Sequence, residues 1–227
     1  MLSEQLIRFY LGLDLPEKQL PSGVAVLNPY QNNPEVTRLV REFHQRYFAD
    51  TQPRKLILGI NPGRNGAGTT GIPFTDTPAL RQACRIETTL ETRETSAEFV
   101  YQWIHYLGGP DSFYREFFIG GVCPLGFVTL SKKGNWVNLN YYDRQDLLQA
   151  SQRFIVEKIT EQWEICGKPK KVFVLGKGKN AQHLKKLNRQ EKWFQSIVAL
   201  EHPRFIFQYR RKRVQEFIEK LSAQIMA

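Results

Sequence analysis

Residues 55–78 read KLILGINPGRNGAGTTGIPFTDTP, and the fold follows from how this stretch divides. Lys55 to Ile60 form a short apolar run ended by turn formers, which is the pattern of a buried strand in a parallel sheet. Asn61-Pro62-Gly63 follows at once, with Gly66, Gly68 and Gly71 behind it. Glycine carries no Cβ, so such a loop lets backbone lie close against a ligand. Ligands of open α/β sheets sit beyond the carboxyl ends of the strands, which puts Asn61 where chemistry would occur.

Gly66-Ala67-Gly68-Thr69-Thr70-Gly71 also fits G-x-G-x-x-G. A dinucleotide fingerprint needs its glycines directly after the strand and a helix starting inside it. Here residues 61–65 intervene, and Pro73 and Pro78 break a helix. No Gly-Lys-Ser/Thr follows, so the loop is not a P-loop. A nucleotide- or dinucleotide-binding enzyme using Gly66–Gly71 stands as an alternative reading.

Outward from this stretch, residues 2–12 read as a short helix and the chain then loops through Pro16, Pro21 and Pro29. Asn33 is placed to cap a helix with Pro34 at its first position. Val36, Leu39, Val40, Phe43 and Tyr47 keep helical spacing. Residues 79–91 give no clear pattern. Thr95 or Ser96 opens a helix running to Leu107 and ending at Gly108-Gly109-Pro110. Phe117–Val122, Lys171–Leu175 and Ser196–Leu200 are three more apolar runs of strand type. Residues 128–142, with Asn135, Asn138 and Asn140, read as a hairpin or long loop. Residues 143–165 predict a long amphipathic helix with Leu148, Ile155, Ile159 and Trp163 on one face. Strands alternating with helices predict a three-layer α/β/α sandwich with a mostly parallel sheet of about four strands.

At 227 residues the chain is long enough for a full core, and one domain over 1–227 is expected, with residues 1–53 a helical part packed on it. The N-terminal stretch has no long apolar run, which excludes a signal peptide and a membrane span there. Cys84, Cys123 and Cys166 are scattered and odd in number, the usage of a reducing compartment. A cytoplasmic location is expected. Residues 1–150 hold 15 Lys/Arg against 15 Asp/Glu, and residues 151–227 hold 17 against 7, so the whole formal charge of +10 lies in the C-terminal third. Such a region favours polyanions. Gly176-Lys177-Gly178-Lys179-Asn180 is a glycine turn opening a helix over 181–190; it suits a phosphate, and a plain βα turn explains it equally. Arg210-Arg211-Lys212-Arg213 head a last helix with Val214, Phe217, Ile218, Leu221 and Ile225 on its buried face. Cations there oppose the helix dipole, which a bound phosphate would relieve. His105 reads as a partly exposed histidine on its helix, and His183 as a surface histidine on the helix over 181–190.

The motifs resemble those of the single-strand-selective monofunctional uracil-DNA glycosylases, a branch of the uracil-DNA glycosylase superfamily. Gly59, Asn61-Pro62-Gly63, Gly66 and Thr70-Gly71-Ile72-Pro73-Phe74 match that family's first motif without a gap. Cys123-Pro124-Leu125 matches a run after a middle strand, and His202-Pro203 matches the start of the second motif. The resemblance implies that Asn61 positions the attacking water and that Phe74 stacks on an extruded base. His202 then donates to the base oxygen where leaving-group charge develops, and Gly63 and Cys123 belong to the base site. It further implies that the segment after His-Pro, here Arg204 to Tyr209, is a loop inserting into the duplex.

One position departs from the family. An Asn that reads the Watson–Crick edge of uracil stands before Cys-Pro-Leu there; this chain has Gly121. The implied reaction is hydrolysis of the N-glycosidic bond of deaminated bases (uracil, with xanthine and hypoxanthine admitted by Gly121) by a monomer without metal or cofactor. The implied partner is DNA, the bacterial nucleoid, contacted by Lys177, Lys179, Arg204, Phe205, Arg210, Arg211 and Arg213, and not a membrane. A catalytically dead DNA-binding module on the same fold is the remaining alternative.

Overall fold

The run at 55–59 lies inside a four-stranded parallel sheet in the computed structural model, which describes residues 1–227. In chain order the elements begin with α1 (Leu2–Leu11), β1 (Val24–Leu27), α2 (Pro34–Tyr47), β2 (Lys55–Gly59), α3 (Ala67–Thr70), α4 (Thr95–Tyr106) and α5 (Pro110–Glu116). They continue with β3 (Phe117–Gly121), β4 (Gly126–Leu130), β5 (Trp136–Leu139), α6 (Gln145–Ile165), β6 (Lys171–Leu175), α7 (Lys179–Glu191), β7 (Ser196–Leu200), α8 (Pro203–Tyr209) and α9 (Val214–Met226). The sheet order is β3-β2-β6-β7, and every pairing is parallel. Leu56, Ile57 and Leu58 are wholly buried, because helices cover both faces of a parallel sheet. This is the α/β sandwich that the alternation of apolar runs predicts.

Register decides where the site lies. Gly59 pairs with Gly121, Leu58 with Val174, and Leu175 with Leu200, so the strands end level along one edge. The loops that carry Asn61, Cys123, Gly176 and His202 all leave from that edge. Among the helices, α1 packs on α2 and α6, while α4 packs on α8 and α9. One hydrophobic cluster runs from Leu2 to Ile225. The Asn33 side chain caps α2 by accepting from the Val36 N–H, and the predicted apolar face of α2 is buried. No helix is long and apolar enough to cross a membrane.

Several elements differ from the expectation. Val24–Leu27, read as loop, is a strand: β1 pairs antiparallel with β4, and β4 with β5, in a separate three-stranded sheet. Its partner lies a hundred residues away, so no local pattern announces it. Helix α7 begins at Lys179 rather than 181. In α6, Ile155 and Ile159 are buried, but Leu148 and Trp163 sit at the edge of the buried face, and polar Ser151 and Gln162 lie inside it. Residues 203–209 form helix α8 instead of an insertion loop, since Pro203 starts it and Ile206 and Phe207 anchor it in the core. His183 is half-buried rather than exposed. It packs 5.3 Å from the Tyr141 ring, and burial lowers its pKa.

Candidate active site

A cavity of about 300 Å³ opens at the carboxyl edge of the sheet. Asn61, Gly63, Phe74, Gly121, His202, Arg204 and Phe205 all line it, so seven of the residues singled out in the sequence meet at one place. Tyr10 from α1, Glu94 at the start of α4, and Asn138 and Asn140 around β5 also line it. No group of three or more His, Cys, Asp or Glu side chains is gathered as metal ligands would be.

The Asn61 amide is held at both ends. Its Nδ2 donates to the Leu139 carbonyl at 3.1 Å, and its Oδ1 accepts from the Tyr141 N–H at 3.1 Å. A carbonyl oxygen has two lone pairs, so Oδ1 keeps one for a water. The clamp is itself braced. The Tyr141 hydroxyl donates to Asn180 Oδ1, and Asn180 Nδ2 donates to the carbonyls of Gly59 and Leu175. Buried Asn180 thus ties the ends of β2 and β6 to the segment that holds Asn61.

Phe74 sits in the left-handed region, with φ of 53°. Such a conformation is rare for a bulky residue and persists where the surroundings hold it. Gly59 explains the ring position. A Cβ on Gly59 would lie 2.7 Å from Phe74 Cε2, so the ring lies directly on the strand backbone. The ring centroid is 6.2 Å from that of His202.

His202 leaves the end of β7 and caps α8, its Nδ1 accepting from the Arg204 N–H at 3.2 Å. That bond leaves the proton on Nε2. Burial, helped by the neighbouring Arg204 charge, lowers the His202 pKa to about 4. The ring is therefore a neutral donor at neutral pH.

Gly121 ends β3, the edge strand of the sheet. Gln162 of α6 takes the place of a further strand: its Oε1 accepts from the Gly121 N–H at 3.1 Å and its Nε2 donates to the Gly121 carbonyl at 3.0 Å. A Cβ on Gly120 would collide with Gln162 Oε1, which explains that glycine. Cys123 does not line the cavity, contrary to expectation. It is wholly buried, its Sγ donates to the Leu125 carbonyl, and Pro124 lines the cavity instead.

The cations of the predicted DNA face divide into paired and free. Lys177 pairs with Glu201 at 2.7 Å, a carboxylate it shares with Lys220, and Lys179 is exposed at the start of α7. Arg213 pairs with Glu216 at 2.7 Å. Arg210 and Arg211 lie over the rings of Phe205 and Phe207 and have no carboxylate partner. Phe205 and Tyr209 project from α8 as exposed aromatic side chains.

Arg204 reaches Glu94 at 3.7 Å across the cavity mouth. Burial raises the Glu94 carboxyl to about 7, with Asp76 adding to the rise and Arg204 opposing it. As pH falls through 7 the rim loses a negative charge and Arg204 loses its partner. DNA affinity at fixed salt is therefore expected to rise severalfold between about pH 8 and about pH 6. Glu94→Gln is expected to hold the tighter affinity at both pH values; a variant with the wild-type pH dependence would assign the effect to another group. Glu94 also disposes of the dinucleotide reading. Its carboxylate packs on Gly66, where a pyrophosphate would need room, and the glycine loop holds only the single turn α3, ended by Gly71 at φ 75°.

Comparison with known proteins agrees with this geometry. A model of the Uracil DNA glycosylase superfamily matches residues 45–225. The crystal structure of wild-type Pedobacter heparinus SMUG2 superimposes with a TM-score of 0.95 at 39% identity, covering 99% of this chain and 97% of that one. No curated protein matches. With its two motifs at level strand ends around one cavity, the family model matched over residues 45–225 and the fold matched along nearly the whole chain, this chain belongs to the uracil-DNA glycosylase superfamily.

Proposed function

We propose that the protein is a monofunctional DNA glycosylase that hydrolyses the N-glycosidic bond of deaminated bases extruded from DNA. The observation that carries this is the convergence of Asn61, Phe74 and His202 on one cavity. The target bond is out of reach inside a base stack, so the nucleotide must flip into the cavity. Phe74 offers a face for the base. Asn61 orients water with its free lone pair; an amide does not take up a proton near neutral pH, so it is no general base. The barrier falls chiefly because the His202 Nε2–H meets the charge that develops on the departing base. No lysine lines the cavity, which supports a water nucleophile and an abasic product. The chain acts as a monomer and as one domain over 1–227, in the cytoplasm.

The test is incubation with oligonucleotides carrying uracil, xanthine or hypoxanthine, followed by alkali to cleave abasic sites. No alkali-labile product from any of the three would overturn the proposal, leaving a DNA-binding module without activity.

Base range should follow from Gly121. A site built on side-chain hydrogen bonds rejects bases that leave those groups unpaired. Glycine removes that penalty and leaves room, so wild type is expected to excise deaminated purines beside uracil. Gly121→Asn is expected to shift the ratio of rates toward uracil and to lower Tm, because its Cβ would stand 3.0 Å from the Cys123 carbonyl oxygen. Wild-type activity confined to uracil would point to Asn138 or Asn140 as the reader of the base edge.

A further inference from the structure

The exposed apolar side chains of this protein are concentrated around its cavity. Phe205 and Tyr209 stand on one side, on α8, and Leu130, Trp136 and Val137 stand on the β4–β5 hairpin. Elsewhere only Tyr106 and the near-terminal Met1 and Met226 are exposed large hydrophobic residues. The hairpin is continuous with the cavity wall. Trp136 lies two residues before cavity-lining Asn138, so strand alternation puts both on one face of β5, about 7 Å apart. Leu130 pairs with Trp136 across the hairpin.

The charge on this arm has one sign. Lys132 and Lys133 are exposed in the turn and form no ion pair, and no Asp or Glu occurs between Glu116 and Asp143. The turn is also fixed in shape: Ser131 and Asn135 exchange hydrogen bonds across it, and Gly134 takes φ of 76°. At its cavity end, Asn138 Oδ1 accepts from the Arg64 N–H, which joins the hairpin to the motif-one loop. An exposed tryptophan just after two lysines, on a hairpin beside a base-sized cavity, has the chemistry of single-strand binding: a ring for stacking and cations for the backbone.

We propose that the β4–β5 hairpin is a second DNA-contact arm, with Trp136 stacked on a base that flanks the target nucleotide and Lys132 and Lys133 on adjacent phosphates. The proposal rests on the glycosylase reading. DNA is the occupant because the hairpin carries two unpaired lysines and no carboxylate of its own, and its β5 strand continues into the cavity wall at Asn138. The arm lies outside the C-terminal third that carries the net charge, so the strand is gripped from both sides of the cavity.

The experiment measures binding of a single-stranded oligonucleotide with a central stable abasic-site analogue, by fluorescence anisotropy. Trp136→Ala is expected to weaken binding about tenfold and Trp136→Phe about twofold or less, since phenylalanine also stacks. Lys132→Ala with Lys133→Ala is expected to lower the slope of log K against log salt by about 1.4, the share of two phosphate contacts on a single strand. The positions are exposed, so all variants should melt with wild type. The penalty of Trp136→Ala should vanish when the oligonucleotide is cut short on one side of the abasic site and persist when it is cut on the other. DNA should also quench wild-type fluorescence, and Trp136→Phe should remove that quench. A Trp136→Ala protein that binds every oligonucleotide like wild type overturns the arm, and leaves the glycosylase reading standing if wild type still excises bases. Wild type that binds through Trp136 but excises nothing overturns the glycosylase reading and retains the arm.

Discussion

Replacing His202 with Asn is expected to slow base excision by about 10² to 10³, the loss seen when one donor to a developing anion is removed. Asparagine is chosen because its side-chain oxygen can still accept from the Arg204 N–H and cap α8, as Nδ1 does now. The fold and the DNA surface on α8 are then preserved while the Nε2–H is lost. Asn61→Ala is expected to slow excision by about 10² or more on the same scale. It also strips the partners from the Leu139 carbonyl and the Tyr141 N–H, so a stability loss of about 1–3 kcal/mol accompanies it. Single-turnover rates at saturating enzyme, with Tm measured in parallel, separate the two effects. Wild-type rates in both variants would remove Asn61 and His202 from the mechanism.

The second large effect is on DNA affinity. Combined Arg210→Ala, Arg211→Ala and Arg213→Ala is expected to weaken binding to all sequences alike, by roughly 50-fold near about 0.1 M salt, and to lower the salt slope by about two. A drop of two is expected because Arg213 already has a carboxylate in Glu216, whereas Arg210 and Arg211 lie over aromatic rings and have no carboxylate partner. Arginine stacked on a ring keeps its N–H fork free for a phosphate. Arg213→Ala alone should therefore change the slope little. An unchanged slope in the triple variant would mean that the cluster is merely solvated.

The same division between what a sequence shows and what it hides runs through the whole site. Asn61, Phe74 and His202 were legible because each belongs to a contiguous motif at the end of an apolar run, and strand ends are where parallel sheets put chemistry. Glu94 was not legible. A lone glutamate before a helix carries no motif, and only burial beside Gly66 and Arg204 gives it an unusual proton affinity. Cys123 was misread in the other direction: it lies within a family motif, but the chain turns its thiol into the core.

The sequence by itself determined the four parallel strands, the longer helices α2, α4, α6 and α7, and the three side chains that face the cavity. Those are local matters: apolar runs, caps, glycine turns and short motifs express themselves within about ten residues. The tertiary structure alone decided how Asn61 is clamped by a backbone 80 positions away, why Gln162 fills the edge beside Gly121, and how Asn180 ties two strand ends together. It also decided the pairing of β1 with β4 and the placement of the hairpin beside the cavity. A single polar residue has no period and no motif. Its partner is chosen by which distant backbone groups the packed core leaves unsatisfied, and that is fixed only when the core has closed.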